Sequence, residues 1–429
     1  MKQVFAICLG ALMGVQASWG ASPCKLGNTP LEKYTIVYQA QADADEGIDR
    51  ANALQAEVRE AVGVVLPVKS SDEFKKGASI RIEKPSGMAT FDYTLDAGKG
   101  KAVVGGGCGW AIDRAAGMLV EKLKSGANVA PFKARGSVEG EFLFPRGEGV
   151  TLRILDDNIW DYSLDTIPDE WKQAGLDCRD VARAPEFAQL VRGYMPEVVT
   201  LQEYSRHMDA EFCPLIKKYG YRNACDSKDG AWNNTPIFYD SDSLELLDVN
   251  YNLYTPSRWS NHASKSFTSA VFRQKSTGKV FAVINTHLWW KSDKVQAGST
   301  QARASQVRLI MAEAEIIERK YSCPVFVTGD MNCEEDSVPM QQFIAGGYVP
   351  CYMAATVYGN TDNGHHECAP RTPGTRKSNR KGADRRVGAI DHCFIHNAGS
   401  TEVKRFDCLQ DFFTVKLTDH YPNLIDVAL

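Results

Sequence analysis

The sequence predicts a mixed α/β protein of two unequal domains, and three observations predict it. At 429 residues, 44% hydrophobic and 24% charged, the chain exceeds one compact domain and has ample material for a core. Residues 34–124 alternate short strand-like segments with amphipathic helix-like ones. From residue 150 the grammar changes, and apolar runs repeatedly stop on a polar residue able to do chemistry. The expected division is a leader at 1–20, a small α/β domain at 21–135, a linker at 136–149 and a catalytic α/β domain at 150–429.

The leader comes first. Lys2 precedes a 12-residue apolar run, Val4–Val15, followed by small residues around Ser18-Trp19-Gly20. This is the pattern of a secretory signal, too short to span a bilayer, and no later stretch is apolar enough to do so. The expectation is export, to the periplasm or outside the cell. Of twelve cysteines Cys8 leaves with the leader. The odd remainder of eleven leaves at least one free or paired in trans. No CxxC pair has metal-site spacing, and Cys351 and Cys368 bracket one loop. The formal net charge of −4 becomes −5 once Lys2 is removed. That excludes a protein whose whole surface grips nucleic acid or an anionic membrane.

In the first domain Tyr34–Tyr38 (YTIVY) reads as a strand and Asp49–Val62 as a helix. LPVK, SIRIEK, FDYTLD and AVVGG read as further strands, and Ala111–Leu123 as a second helix. The turn Gly105-Gly106-Gly107 before that helix fits tight strand-to-helix packing better than a phosphate cradle. This order of elements, over roughly residues 30–125, resembles the small non-catalytic α/β domain that precedes the barrel in some β-hexosaminidases and α-glucuronidases. The resemblance implies an accessory module of carbohydrate-active enzymes. The turn-rich stretch that follows reads as the connection between the halves.

In the second domain Leu152–Leu155 ends in Asp156-Asp157-Asn158, and Val198–Leu201 in Gln202-Glu203. Val280–Ile284 ends in Asn285-Thr286-His287, and Val325–Val327 leads to Gly329-Asp330-Met331-Asn332. Functional groups in layered α/β folds gather where strand ends meet, so these residues are expected around one cleft. Helices are expected near 183–192 and 302–319. Phe267–Gln274 and Lys279–Ile284, joined by Lys275-Ser276-Thr277-Gly278, read as an antiparallel hairpin, which counts against a parallel barrel.

Asn158, Glu203, Asp330, Asn332, Asp391 and Asp419 are hard oxygen donors, and His287 and His420 are imidazoles. Few carboxylates, several amides and no Cys/His cluster suit magnesium or manganese rather than structural zinc. Magnesium shares its coordination with phosphate oxygens, so one or two protein carboxylates suffice, and the inventory points to phosphoryl chemistry. Singly, each residue has an ordinary structural explanation as a turn, a cap or a satisfied histidine. Their ordered co-occurrence carries the argument.

That order runs Asn158, PEVVTLQE ending at Glu203, NTHL at 285–288, TGDMN at 328–332, AIDHCFI with Asp391, and TDHYP with Asp419-His420. It resembles the endonuclease/exonuclease/phosphatase superfamily over about residues 150–429. The resemblance implies a four-layer α/β sandwich and metal-dependent attack of water on phosphorus. It implies that Glu203 binds the metal with Asn158 alongside, and that Asp419 adds a contact. Asp330 would orient or deprotonate the water, and Asn332 would position it and the phosphate. His420, held by Asp391, would contact the scissile phosphate and share proton transfer. His287 would stabilise or protonate the leaving side. Some relatives carry an acid two positions after the asparagine, where this chain has Trp160, a departure that counts against a second metal there.

Two local features bear on the substrate. Arg371–Arg386 holds seven basic residues and one acidic one directly before the Asp391 strand, Arg376, Arg380 and Arg385 among them. Such a rim would grip a polyanion such as nucleic acid, a phosphorylated glycan or a lipid headgroup. Trp289-Trp290-Lys291, directly after NTHL, is expected at the same rim, where aromatic rings stack on bases or sugars. The sequence thus predicts an exported Mg²⁺- or Mn²⁺-dependent phosphoesterase, as a phosphodiesterase before a monoesterase, with no protein partner inferred. Two rival readings stay open: an extracellular nuclease of the same superfamily, and a glycan-binding protein whose phosphoesterase half is inactive.

Overall fold

The computed structural model describes residues 24–429 except 40–43, 86–87, 90, 108, 127, 139–143, 145, 162–165, 168–176, 229–230, 256, 260–264, 359–388 and 410–417. The expected leader, the basic segment with Arg376, Arg380 and Arg385, and Cys368 lie outside the described residues. Cys351 is buried. No described helix is long and apolar enough to cross a membrane.

The first domain is a six-stranded sheet. Its strands are β1 (Tyr34–Tyr38), β2 (Val68–Ser70), β3 (Ala78–Glu83), β4 (Asp92–Ala97), β5 (Lys101–Gly106) and β6 (Phe132–Ser137), in the order β2-β1-β3-β5-β4-β6. Helices α1 (Ala44–Val62) and α2 (Gly109–Lys124) lie side by side against it. Their apolar stripes, with Leu54 and Val58 on one and Ile112, Ala115 and Leu119 on the other, close over Ile36, Ile80 and Val104. A Cβ on Gly106 would stand 2.5 Å from the Ile112 nitrogen, so this glycine of the triplet serves close strand-to-helix packing. Strand β6 runs across the expected boundary at 135.

The second domain holds two mixed sheets. The first comprises β7 (Leu152–Asn158), β8 (Val198–Gln202), β9 (Tyr221–Asn223), β10 (Ile237–Asp240), β16 (Val357–Tyr358), β18 (Glu402–Cys408) and β19 (Asn423–Ala428). Their order is β9-β10-β8-β7-β19-β18-β16. The second comprises β11 (Leu244–Leu253), β12 (Ser266–Gln274), β13 (Val280–His287), β14 (Val325–Asp330), β15 (Val349–Pro350) and β17 (Asp391–His396), in the order β11-β12-β13-β14-β17-β15. Helices α3 (Asp180–Tyr194) and α4 (Arg206–Lys217) cover the first sheet, and α5 (Ser299–Tyr321) and α6 (Val338–Ala345) the second.

Strand alternation builds the layers. In β7 Ile154 faces the other sheet while Leu155 faces the helices, and Ile425 and Leu424 divide the same way in β19. Val283 and Phe326 point between the sheets, whereas Ile284 and Val327 pack under α5. The result is a helix–sheet–sheet–helix sandwich of four layers. Arg153 and Asp426, paired across β7 and β19, form a fully buried bidentate ion pair at 2.6 and 2.9 Å. The expected hairpin is present as β12–β13, with Gly278 N–H donating to the Gln274 carbonyl at 2.8 Å.

Strand direction then gathers the site. β7 and β8 run parallel, as do β13 and β14, so Asn158, Gln202, His287 and Asp330 all finish at one end. β17 and β19 run antiparallel to β14 and β7, so they begin at that end, with Asp391 opposite Asp330 and residues 418–422 alongside.

Candidate active site

Three of the seven described non-glycine residues with positive φ stand just beyond these strand ends: Trp160 (57°), Glu203 (57°) and Asn332 (50°). Left-handed backbone is costly for such residues and persists only when surroundings over-determine it. Here each is tied. The Trp160 N–H donates to Asn158 Oδ1 at 3.0 Å, and Asp161 N–H to Glu203 Oε2 at 2.9 Å. Asn332 N–H donates to Asp330 Oδ1 at 2.8 Å, and its amide to the Leu288 carbonyl at 3.2 Å. Arg183 on α3 completes the hold, donating to the Ile159 and Trp160 carbonyls at 2.6 and 2.8 Å. It also pairs with Asp180, which accepts from Ser205 two residues beyond Glu203.

The expected residues form one continuous cluster. Donor atoms of Glu203, His287 and Asp330 lie within 4.8 Å of one another, and so do those of Asp330, Asp391 and His420. Asp330 is shared. It accepts from Asn158 Nδ2 at 3.0 Å and lies 3.3 Å from His287 Nε2. His420 Nδ1 meets both Asp391 oxygens at 2.8 and 3.0 Å, and its Nε2 lies 3.9 Å from Asp419. The side chains of Glu203 and Asp419, 30% and 22% exposed, stand at the open side, while His287 and Asp330 are buried.

Beneath the cluster a polar plug ties the sheets together. Gln202 donates to Asp156 and Asn285 at 2.8 and 2.7 Å, Thr200 to Asp156 at 2.8 Å, and Thr328 to Thr200 at 2.9 Å. Burial pushes Asp156 up to about 7, assisted by the charge of Asp391.

Electrostatics give the two histidines opposite character. Burial, and then Lys265, pull His287 below its ordinary range despite Asp330 and Glu203. Burial also pulls on His420, but the Asp391 carboxylate outweighs it and holds that imidazole protonated. Burial would raise Asp330, yet His287, His420 and Lys265 together keep it well below the usual carboxylate range. The donor set is rich in oxygen and contains no thiolate, which fits a hard divalent cation.

At the rim one expectation is corrected. Trp289 is a packing residue: it is 2% exposed, edge-on to Trp259 at 5.3 Å, with its indole N–H on Ser299. The exposed ring is Trp290, with the Lys291 ammonium 5.2 Å from its centroid. The motifs also missed three neighbours. Asp161 follows Trp160, and burial and the adjoining Glu203 charge raise its carboxyl to about 6. Arg183 is described above. Lys265, 4% exposed, meets the His287 ring. A signal for Lys265 existed, because the predicted hairpin turn, read back along both strands, sets Ser266 opposite His287 with Lys265 next to it.

A four-layer sandwich whose strand ends converge on a carboxylate–imidazole cluster defines the class as an α/β protein with an acid–base site between its sheets. The sequence model of the Endonuclease/Exonuclease/phosphatase family matches residues 177–420, more than half of the chain, and the chain belongs to that family. Members of the family are hydrolases acting on phosphoesters. Similar solved structures include an endonuclease/exonuclease/phosphatase from Bacteroides vulgatus, at TM-score 0.49 and 23% identity over 65% of this chain and 98% of that one. A mannosyl-6-phosphatase from Bacteroides thetaiotaomicron gives 0.49 and 18% over 65% and 100%. The human Nocturnin catalytic domain with bound sulfate gives 0.47 and 15% over 64% and 93%. No curated protein matches the chain.

Proposed function

We propose that the protein is an exported, magnesium-dependent phosphodiesterase that cleaves its ester by direct attack of water. One observation carries the reading: Glu203, His287, Asp330, Asp391 and His420, from separate stretches of chain, make one continuous cluster. A divalent cation of the magnesium or manganese type fits its donors. Glu203 would hold it, with Asn158 and Asp419 at its borders, and it would supply charge neutralisation at the phosphate.

The protein's own groups divide the remaining work. Asp330, kept ionised, has one oxygen on the Asn158 amide and the other on the Asn332 N–H, which fixes the carboxylate plane on which a water aligns. His420, protonated through Asp391, is the group able to bind a phosphoryl oxygen and deliver a proton to the departing one. His287, neutral, serves as a hydrogen-bonding partner and not as the acid. A polyanionic substrate is favoured because residues 371–386, directly before the Asp391 strand in the sequence, carry seven basic residues and one acidic one.

The test is turnover of DNA, RNA, phospholipid, inositol phosphate and a chromogenic diester with magnesium present. Chelation should abolish activity and magnesium or manganese restore it. Alanine at Glu203, Asp330 or His420 should lower turnover by at least about 10³-fold. Activity that survives chelation, or near-normal turnover by Asp330→Ala, would sink the reading.

A further inference from the structure

The site contains a cation that none of the steps above employs. Lys265 precedes β12, is 4% exposed, and places its Nζ 3.1 Å from His287 Nδ1 and in still closer contact with Nε2. Among the described residues no carboxylate lies within ion-pair distance of it; Glu203 and Asp330 act on it only from farther away. A buried ammonium without a direct counter-ion is expensive, and a protein surface offers lysine cheaper places. The charge balance also shifts with occupancy. A divalent cation taken up by Glu203 would draw on the negative charge that compensates Lys265 and leave the ammonium able to pair with an anion that enters beside it. In the tautomer whose Nδ1 accepts from Lys265 at 3.1 Å, Nε2–H points to Asp330 at 3.3 Å, and the ring bridges the ammonium and the carboxylate that aligns water.

We propose that Lys265 is a catalytic residue, with His287 holding its ammonium where a non-bridging oxygen of the phosphoryl group arrives. The inference rests on the phosphoester hydrolase reading and assigns a residue to the same site. Negative charge grows on those oxygens during in-line attack, and a fixed, water-shielded donor stabilises it without reorganisation. No proton need leave Lys265, since the donor acts by charge and hydrogen bonding. His287 is then a positioning residue.

The full-length protein tests this with Lys265→Met, Lys265→Arg and two ligands, Mn²⁺ and inorganic phosphate. Lys265→Met should lower kcat on the chromogenic diester by about 10²–10³-fold. It should weaken inhibition by phosphate at least tenfold while Mn²⁺ binds as tightly as in the wild type or tighter. Lys265→Arg should recover part of the phosphate inhibition. If Lys265→Met tightens Mn²⁺ binding but leaves phosphate inhibition within twofold, the lysine is only a counter-charge for Glu203 and Asp330, and the proposal falls. If Lys265→Met does not fold, a wild-type structure with magnesium and phosphate decides. An oxygen about 3 Å from Nζ supports the proposal, and an anion seated elsewhere overturns it. A protein that binds phosphate at Lys265 yet turns over no phosphoester would refute the proposed function and leave the anion site standing.

Discussion

Asp156 shows what a single side chain costs and why it is kept. Its Oδ1 accepts from Thr200 and Gln202, both at 2.8 Å, in the plug that ties the Glu203 strand to the His287 strand. Burial and Asp391 raise its carboxyl to about 7, whereas an unfolded aspartate ionises near 3.9. Between those values the unfolded state binds fewer protons than the folded one, so this group subtracts stability as pH rises, by at most ~1.4 kcal/mol per pH unit. Above about 7 the cost is complete. Asp156→Asn keeps an oxygen for both donors and removes the charge. We expect its melting temperature relative to wild type to climb from pH 5 to pH 7 and then level off. A difference that is flat across that range would show that Asp156 is already neutral throughout or is compensated by another group. At this scale legibility followed motif membership. Glu203, Asp330 and His420 stand in short motifs whose residue types announce oxygen-donor chemistry. Lys265 and Arg183 stand in none, and only tertiary placement gives them a task.

Strands were legible to within a few residues because apolar runs bounded by polar ends have few other uses. Val198–Leu201 and Val325–Val327 became β8 and β14, longer by one and three residues. The helices expected at 183–192 and 302–319 extend at both ends, to Asp180–Tyr194 and Ser299–Tyr321, where no strong capping side chain marked the limit. Trp289 was misplaced for a reason of the same kind. It lies past the end of β13, so strand alternation does not say whether its ring turns out to the rim or in under α5, and Ser299 and Trp259 settle it inward. The Gly-Asp-Met-Asn motif gains a second meaning from the packing of β13 on β14. Gly329 has φ 139°, and a Cβ there would stand 1.9 Å from the Thr286 carbonyl oxygen. The glycine therefore sets how closely the Asp330 strand approaches the His287 strand. Gly329→Ala should cost at least about 3 kcal/mol and remove activity, read as a fall in the denaturation midpoint. A stability within about 0.5 kcal/mol of wild type would mean that the strands can part without loss.

Across the whole molecule the two domains share a core. Phe91, Ala111 and Val138 of the first domain belong to the same buried cluster as Phe187, Leu190 and Tyr194 of α3. Trp110 is the joint: its ring stacks on Phe91 at 6.0 Å and meets Tyr194 edge-on at 4.8 Å. The sequence marked the two domains by their change of grammar but carried no sign of this contact, because each partner reads as an ordinary apolar residue of its own element. The contact reaches the site through one helix. α3 carries Tyr194 at its far end and, near its start, Arg183, which grips the Ile159 and Trp160 carbonyls behind Asn158. A shared apolar core couples the unfolding of the elements that line it. We therefore expect a single calorimetric transition for the wild type. Trp110→Ala removes a partly buried indole, worth about 2–3 kcal/mol, somewhat below the ~3–5 kcal/mol of a fully buried one. It should split that transition in two, with the first domain melting earlier, and lower kcat modestly as α3 loosens behind the Asn158 turn. Two separate transitions already present in the wild type, unchanged by Trp110→Ala, would show that the first domain is tethered to the second without being coupled to it.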